Sequence, residues 1–143
     1  MVDAMKIYRD EIEISTREGI DVLDITKDIE IAVRNSKIRN GICHIFLQAT
    51  TAGLIINEYD LLLVQDVKNM LKNLVKEEKV YAHPQNAFSH LRAILTKVDL
   101  SIPIKDSKPY LGTWQRIWLV EFDTSPRKRK ILLTIIGDGE IFE

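Results

Sequence analysis

The sequence has little that would mark a secreted, membrane-bound or nucleic-acid-binding protein. Its one cysteine, Cys43, excludes an internal disulfide, so we expect a reducing compartment. No apolar stretch is long enough to span a bilayer, and the N-terminus lacks the apolar core of a signal peptide. A net charge of −1 gives no sign of a nucleic acid or an anionic membrane as partner. We therefore predict a cytoplasmic protein with no nucleic-acid or membrane partner.

Repeats, low-complexity segments and a domain-splitting linker are also absent from the sequence. A chain of 143 residues can bury a core without disulfides or metal ions. Hydrophobic residues make up 45% of it and charged residues 29%, as in ordinary globular proteins. The sequence therefore predicts a single domain over residues 1–143.

Changes of hydrophobic period predict a mixture of strands and helices. The predicted strands cover residues 7–16, 22–25, 42–47, 54–56, 102–104, 114–122 and 130–136. The predicted helices cover residues 26–38 and 61–76, followed by one that begins at Asn86. The run 42–47 is apolar throughout, which predicts a strand covered on both faces. A turn joins strands 114–122 and 130–136, which predicts a hairpin at the centre of the sheet.

The helix starts carry their own signals. Thr26 and Asn86 are predicted as N-caps, because their side chains can accept hydrogen bonds from first-turn amides. In the third helix, Phe88, Leu91 and Leu95 are predicted to form the core stripe.

Two of the three histidines, His83 and His90, flank Asn86 at the start of the third helix. Histidine titrates near neutral pH and is the commonest metal ligand. His83 precedes the helix, held in an extended conformation by Pro84, and His90 lies at the edge of the apolar stripe. Two interpretations are open: structural histidines that form caps and core hydrogen bonds, or members of a site. The remaining histidine, His44, lies in an apolar run and is interpreted as structural.

Thr50, Thr51 and Glu58 follow or interrupt predicted strands. The two threonine hydroxyls and the nearby amides are suited to hold phosphate oxygens, or else they belong to an ordinary β-bulge. Glu58 is a candidate general base or metal ligand, with a partner of the helix dipole as the alternative. Two imidazoles and a carboxylate suit a divalent metal, although their spacing matches no standard zinc motif.

Gln115, Arg127 and Arg129 lie around the last two predicted strands. Gln115 starts an apolar run, so if it is buried it needs a hydrogen bond to the backbone or to a ligand. Arg127, placed by a preceding proline, is a candidate phosphate clamp. Arg129 is either a second arginine of that clamp or a solvated residue at a basic hairpin end, and the solvated interpretation is favoured.

Taken in order, these segments resemble the YjbQ family over nearly the whole chain. The resemblance rests on Thr50-Thr51-Ala52, Ile56-Asn57-Glu58, Tyr81-x-His83, Asn86-x-x-x-His90-Leu91, Leu111-Gly112-Thr113-Trp114-Gln115, Glu121-x-Asp123 and Pro126-Arg127-x-Arg129. The run from Leu111 to Gln115 with its downstream arginines is specific. The sequence departs from the family pattern at Ala49, where many members have a histidine.

The resemblance implies a compact α+β fold with a central β-sandwich, about three helices and assembly as a homotrimer. It also implies that one polar pocket contains Glu58, His83, Asn86 and His90. The implied walls of this pocket are Thr50, Thr51, Gln115 and Arg127.

The family resemblance further implies a thiamine-phosphate synthase activity, in which a pyrimidine diphosphate condenses with a thiazole phosphate. In that reaction His83, His90 and Glu58 are the expected catalytic residues, and the same three would hold Mg²⁺ or Zn²⁺. Two alternatives use the same pocket: a metal-dependent hydrolase or lyase acting on a phosphorylated small molecule, and a non-catalytic trimeric protein that binds such a metabolite.

Overall fold

The computed structural model describes residues 4–139. Alternation of hydrophobic and polar residues produces long strands in this range. The strands in that range are β1 (Met5–Thr16), β2 (Asp21–Asp24), β3 (Gly41–Leu47), β4 (Ala52–Asn57), β5 (Asp99–Lys105), β6 (Lys108–Pro109), β7 (Arg116–Glu121) and β8 (Arg127–Asp138). The helices are α1 (Thr26–Ser36), α2 (Leu61–Leu74) and α3 (Ala87–Ile94). None of these helices is long and apolar enough to cross a bilayer.

The strands form two antiparallel sheets that share one core. The five-stranded sheet has the order β1-β8-β3-β5-β6, and the three-stranded sheet has the order β2-β7-β4. Side chains from both sheets and from α1 meet in a single buried cluster, which includes Ile45, Leu133, Leu54, Leu119 and Ile29. The predicted α+β fold with a β-sandwich and about three helices is therefore confirmed.

The predicted hairpin between the last two long strands is wrong. β7 pairs with β2 and β4, whereas β8 pairs with β1 and β3. Residues 122–126 thus carry the chain from one sheet to the other. β7 is buried on both faces, because Leu119 faces the sandwich core while Trp118 and Val120 pack beneath α2. A short turn between two apolar strands does not reveal whether they enter the same sheet.

The prediction that residues 42–47 are covered on both faces is also wrong for the single chain. Cys43, Ile45 and Leu47 are fully buried in the core. Their neighbours Ile42 and Phe46 point outward, with 54% and 38% of their surface exposed. The outer face of the five-stranded sheet is therefore apolar and uncovered in the isolated subunit.

The predicted cap Thr26 has a different role. Ile25 occupies the N-cap position of α1, and no side chain caps the helix there. The Thr26 hydroxyl instead donates to Asp24 over 2.6 Å and accepts a hydrogen bond from the Ile117 amide over 2.8 Å. It therefore ties the helix start to β7, a partner distant in sequence.

The predicted core stripe of α3 is wrong as well. Leu91 and Leu95 are exposed, and the buried residues of the helix are Ala87, Ser89 and Arg92. Asn86 does occupy the N-cap position, but its side chain makes no capping hydrogen bond. The buried Ser89 hydroxyl donates to the Phe122 carbonyl just after β7, so this face of the helix lies against the end of the three-stranded sheet.

A backbone bridge holds the end of α3 against β4. The Leu54 amide donates to the Lys97 carbonyl over 2.7 Å, and the Lys97 amide returns a bond over 3.0 Å. A Cβ atom at Gly53 would lie 1.6 Å from the Thr96 hydroxyl oxygen, so glycine permits this approach. The bridge positions the helix that carries His90.

Candidate functional site

The two histidines of the third helix region come together in the structure. The His83 and His90 rings lie 5.2 Å apart between centroids, in an edge-to-face arrangement. His83 is exposed in the segment before α3, and His90 is half-buried on the helix. The seven-residue spacing brings them together because the chain folds back where α3 begins.

His90 lines an open cavity of about 480 Å³, here called the histidine pocket. Its polar wall contains Thr50, Thr96 and Lys97, and its apolar wall consists of Ala49, Ala52, Ala93, Ile94 and Val98. A cavity of this size suits a small molecule. The apolar wall can pack against a ring, while the imidazole, hydroxyl and ammonium groups can bind an anionic substituent.

Asp123 connects the histidine segment to Arg127. Its carboxylate accepts a bond from Arg127 Nε over 2.7 Å and a longer one from Asn86 Nδ2 over 3.4 Å. The Thr124 amide donates to the same carboxylate over 2.7 Å. The Asp123 side chain is almost completely buried, while about half of the Arg127 side chain is exposed. Arg127 is therefore held in place with its outer part available to an anion.

The environment of Asp123 favours its ionised form. Burial alone raises the pKa of this carboxyl, but the hydrogen bonds from Thr124, Arg127 and Asn86 and the charge of Arg127 outweigh it. The pKa of Asp123 therefore lies below its usual value.

Behind this surface lies a buried ion pair between Glu121 and Arg129. Arg129 Nε donates to Glu121 over 2.7 Å, and its Nη2 donates to the other carboxylate oxygen and to the Thr51 hydroxyl. The Thr16 hydroxyl donates to Glu121 over 2.6 Å. The amides of Phe122 and Asp123 complete the carboxylate's bonds. Arg129 is therefore an internal residue, and its interpretation as a solvated residue is wrong.

Two predicted site residues lie elsewhere in the subunit. Glu58 follows Asn57, which pairs with Arg116 at the start of β7, whereas the histidine pocket lies near Ala52 at the other end of β4. Five residues of strand separate the two ends by roughly 17 Å. Gln115 immediately precedes β7 and is exposed, where it accepts a bond from the Gly112 amide.

The predicted metal set of Glu58, His83 and His90 is thus not assembled within one subunit. Across residues 4–139, no three histidine, cysteine, aspartate or glutamate side chains cluster in a way that would hold a metal ion. Of the predicted set, only the two histidines meet.

Of the remaining predicted residues, Thr50 is exposed and lines the pocket, whereas Thr51 is buried behind it. Sequence reasoning missed Lys97 and gave no role to Asp123 or Glu121. A signal existed for Arg129: it alternates with Ile131 and Leu133, so it shares the inward face of β8.

We expect Arg129→Met to lower the free energy of unfolding by about 3–5 kcal/mol, because it leaves the Glu121 carboxylate buried without its partner. Urea unfolding at neutral pH measures this loss. Lys128→Met, an exposed neighbour on the same strand, is the control and should change stability by less than about 0.5 kcal/mol. Equal losses in both variants would contradict a structural role for the ion pair.

We expect the stabilising effect of Asp123 to disappear in acid. A carboxyl whose pKa is lowered by folding stabilises the protein above its unfolded pKa, about 3.9, and loses that effect as the pH falls through the folded pKa. The difference in unfolding free energy between the parent and Asp123→Asn should therefore shrink below about pH 4. Urea unfolding at stepped pH tests this, with Asp66→Asn as the control for lost charge. A difference that stays constant with pH would refute it.

Comparison with known proteins identifies the relatives of this fold and site. A family model described as UPF0047 protein YjbQ-like matches residues 10–138. A UPF0047 protein of Methanothermobacter thermautotrophicus is 35% identical over 136 residues, which span 93% of this chain and 94% of that protein. A UPF0047 protein of Methanocaldococcus jannaschii is 39% identical over 128 residues, spanning 88% and 92% respectively.

Solved structures agree with the sequence comparison. The crystal structure of a YbjQ-like protein of unknown function from Sulfolobus solfataricus matches with a TM-score of 0.89 at 35% identity, over 94% of this chain and 99% of that one. A hypothetical protein from Aeropyrum pernix matches with a TM-score of 0.86 at 29% identity, over 91% of this chain and 98% of that one. The chain therefore belongs to the UPF0047, YjbQ-like protein family.

Proposed function

We propose that the protein is a thiamine-phosphate synthase-like transferase, with this reaction as its main or a secondary activity. It would join hydroxymethylpyrimidine diphosphate to a thiazole phosphate and release diphosphate. One observation carries the proposal: His90, with the His83 ring against it, faces a pocket that also contains Thr50 and Lys97. The pocket combines donors for phosphate with an apolar wall for a heteroaromatic ring.

The reaction needs positioning and charge stabilisation more than covalent help. The bond between the pyrimidine methylene carbon and the diphosphate oxygen breaks, and both electrons leave with the diphosphate. The lone pair of the thiazole nitrogen then forms the new carbon–nitrogen bond. Donors that hold the departing diphosphate lower the barrier, because negative charge grows on its oxygen in the transition state.

The chain supplies such donors from three segments. His83 and His90 would donate to the departing diphosphate, and Lys97 would add a positive charge at the same wall. The Thr50 hydroxyl would hold phosphate oxygens. Arg127 does not line the pocket, so its outer guanidinium edge would hold only a phosphate group that extends beyond it. Because Asp123 already binds Arg127, little entropy is lost when this arginine takes a ligand.

Within residues 4–139 of one subunit, no third histidine, cysteine, aspartate or glutamate joins His83 and His90 to complete a set of metal ligands. Glu58 lies at the far end of β4 from the histidines, so the three predicted ligands do not converge. Magnesium would then enter as part of the diphosphate substrate, with water and phosphate oxygens as its ligands. Glu58 and Gln115 remain candidates for this site only through a neighbouring subunit.

A second function uses the same pocket: metal-dependent hydrolysis or lysis of a phosphorylated small molecule. The paired imidazoles favour it, since two histidines supply part of a common zinc ligand set. A protein that only binds a phosphorylated metabolite would also use these groups. Product formation separates the three functions.

The test is an incubation of the protein with the pyrimidine diphosphate and the thiazole phosphate, with and without magnesium. Thiamine phosphate is measured by fluorescence after oxidation. We expect His83→Ala combined with His90→Ala to lower turnover by about a hundredfold or more while folding is retained, because two donors are lost.

The control is the double variant Gln65→Ala and Asn69→Ala, at two exposed, hydrogen-bonded positions of α2. Turnover that survives in the double histidine variant would exclude the histidines from catalysis. Saturable stabilisation by the substrates without product would indicate a binding protein. Hydrolysis products with added zinc would support the second function.

We also propose that the protein assembles as a homotrimer and functions in the cytoplasm. The uncovered apolar face of the five-stranded sheet, with Ile7, Ile42, Phe46 and Ile136, supports assembly. The single cysteine supports a reducing compartment, since the chain cannot form an internal disulfide.

We expect light scattering to give three times the chain mass for the parent. Ile42→Glu should give the single-chain mass, because a charge on the apolar face cannot be buried without a partner. Val80→Glu, at an exposed position in the segment before α3, should leave the assembly unchanged. A single-chain mass for the parent would refute the trimer.

A further inference from the structure

A second cavity lies on the other side of α3 from the histidine pocket. It has a volume of about 360 Å³ and is bounded by α2, α3, residues 18–20 and residues 122–124. Phe88 and Arg92 face this cavity, whereas His90 and Ile94 face the histidine pocket. Neither the proposed transferase chemistry nor its donors use this second cavity.

Arg92 is an unusual wall residue because it is charged and 4% exposed. Its Nε and Nη2 donate to the Val75 carbonyl over 3.2 Å and 3.0 Å. Val75 is the C-cap of α2, so the guanidinium meets the negative end of that helix. The Phe88 ring lies 5.1 Å from the guanidinium carbon.

The contacts with the Val75 carbonyl and the Phe88 ring compensate only part of the positive charge of Arg92. Within residues 4–139, no carboxylate lies within 4.0 Å of Arg92, whereas Arg116, Arg127 and Arg129 each have one. A helix end supplies about half a unit of charge. Buried cations without a counter-ion are rare, because burial removes the water that stabilises them.

Among the described residues, one guanidinium nitrogen of Arg92 is left without a hydrogen-bond partner. Arg92 Nη1 makes no hydrogen bond within the described part of the chain. The only fully shielded side-chain nitrogen or oxygen left without a partner there is Trp118 Nε1. Nη1 is therefore not completely shielded, and Arg92 is one of the residues that line the second cavity.

Other groups in the cavity complement an anion. Lys72, in the last turn of α2, adds a second cation, and Thr124 adds a hydroxyl. Ile20, Phe88 and Phe122 provide an apolar wall. Asp123 also borders the cavity, but its carboxylate is engaged by Arg127. Glu18 and Glu77 are exposed carboxylates at the cavity, and their charge opposes an anion.

We propose that this cavity is a second ligand site, which binds a small oxyanion, a phosphate or a carboxylate, between Arg92 and Lys72. The oxyanion supplies the negative charge that no carboxylate of residues 4–139 provides within 4.0 Å of Arg92. The Arg92 guanidinium and the Lys72 ammonium group both bind it. An organic part of the ligand would pack against Phe88 and Phe122. This site goes beyond the proposed transferase function and is separated from its pocket by α3.

The test is a titration of the full-length protein with inorganic phosphate, followed residue by residue in amide NMR spectra. We expect the amide signals of Lys72, Phe88 and Thr124 to shift along one saturation curve. The amides of Thr50 and Lys97 report separately on the histidine pocket. Parallel titrations with acetate distinguish a phosphate-selective site from one that accepts any carboxylate or phosphate oxyanion.

Charge variants decide whether Lys72 and Glu77 border the site. Lys72→Gln, on an exposed side chain, should weaken phosphate binding about tenfold, the effect of losing one charged hydrogen bond. Lys27→Gln removes the same charge from a distant groove and should leave the affinity unchanged. Glu77→Gln should strengthen binding, because it removes a repelling carboxylate.

Three results would overturn the proposal. The first is an absence of shifts at the second cavity in phosphate. The second is the same shifts in sodium chloride at equal ionic strength. The third is equal affinity in Lys72→Gln and Lys27→Gln. None of these depends on whether the histidine pocket is catalytic, because its amides are observed independently.

Discussion

The buried pair of Glu121 and Arg129 is the contact on which one whole end of the molecule depends. Glu121 ends β7 of the three-stranded sheet, and Arg129 lies on β8 of the five-stranded sheet, so their contact joins the two layers of the sandwich. Thr16 and Thr51 occupy further hydrogen-bonding positions of the pair. Two buried charges are stable only when their hydrogen-bonding positions are all occupied. The side chains of this pair and the residues bonded to them are therefore restricted to one arrangement. The segments that leave it therefore start from defined positions.

Asp123 connects this ion pair to Arg127 and to the start of α3. The Glu121 carboxylate binds the Asp123 amide, and the Asp123 carboxylate binds Arg127 and Asn86. Asn86 is the residue at which α3 begins, and Lys97 pairs with β4 just after the helix ends. The short helix is therefore anchored at both ends. Because the helix is already held in place, its side chains lose less conformational entropy on binding a ligand in either neighbouring cavity than those of a mobile segment would.

Much of the secondary structure was predictable from the sequence, because strand and helix periods depend on near neighbours. The strand that ends at Thr16 and the amphipathic helix from Leu61 follow from local spacing. The family was predictable from ordered motifs. The exposure of Ile42 and the burial of Arg92 were not, since a run of apolar residues or one arginine on a helix does not reveal what packs against it.

The sequence by itself determined where most of the strands and helices lie, which residues carry reactive groups and which family the chain belongs to. It did not determine their exact ends, since β5 and β8 each begin three residues before their predicted starts, and β6 was not predicted. Only the tertiary structure decided that β7 and β8 enter different sheets, and this arrangement brings Arg129 onto Glu121. The physical reason is that strand pairing depends on contacts between residues far apart in the chain. Hydrophobic period specifies the face of each strand but not its neighbour.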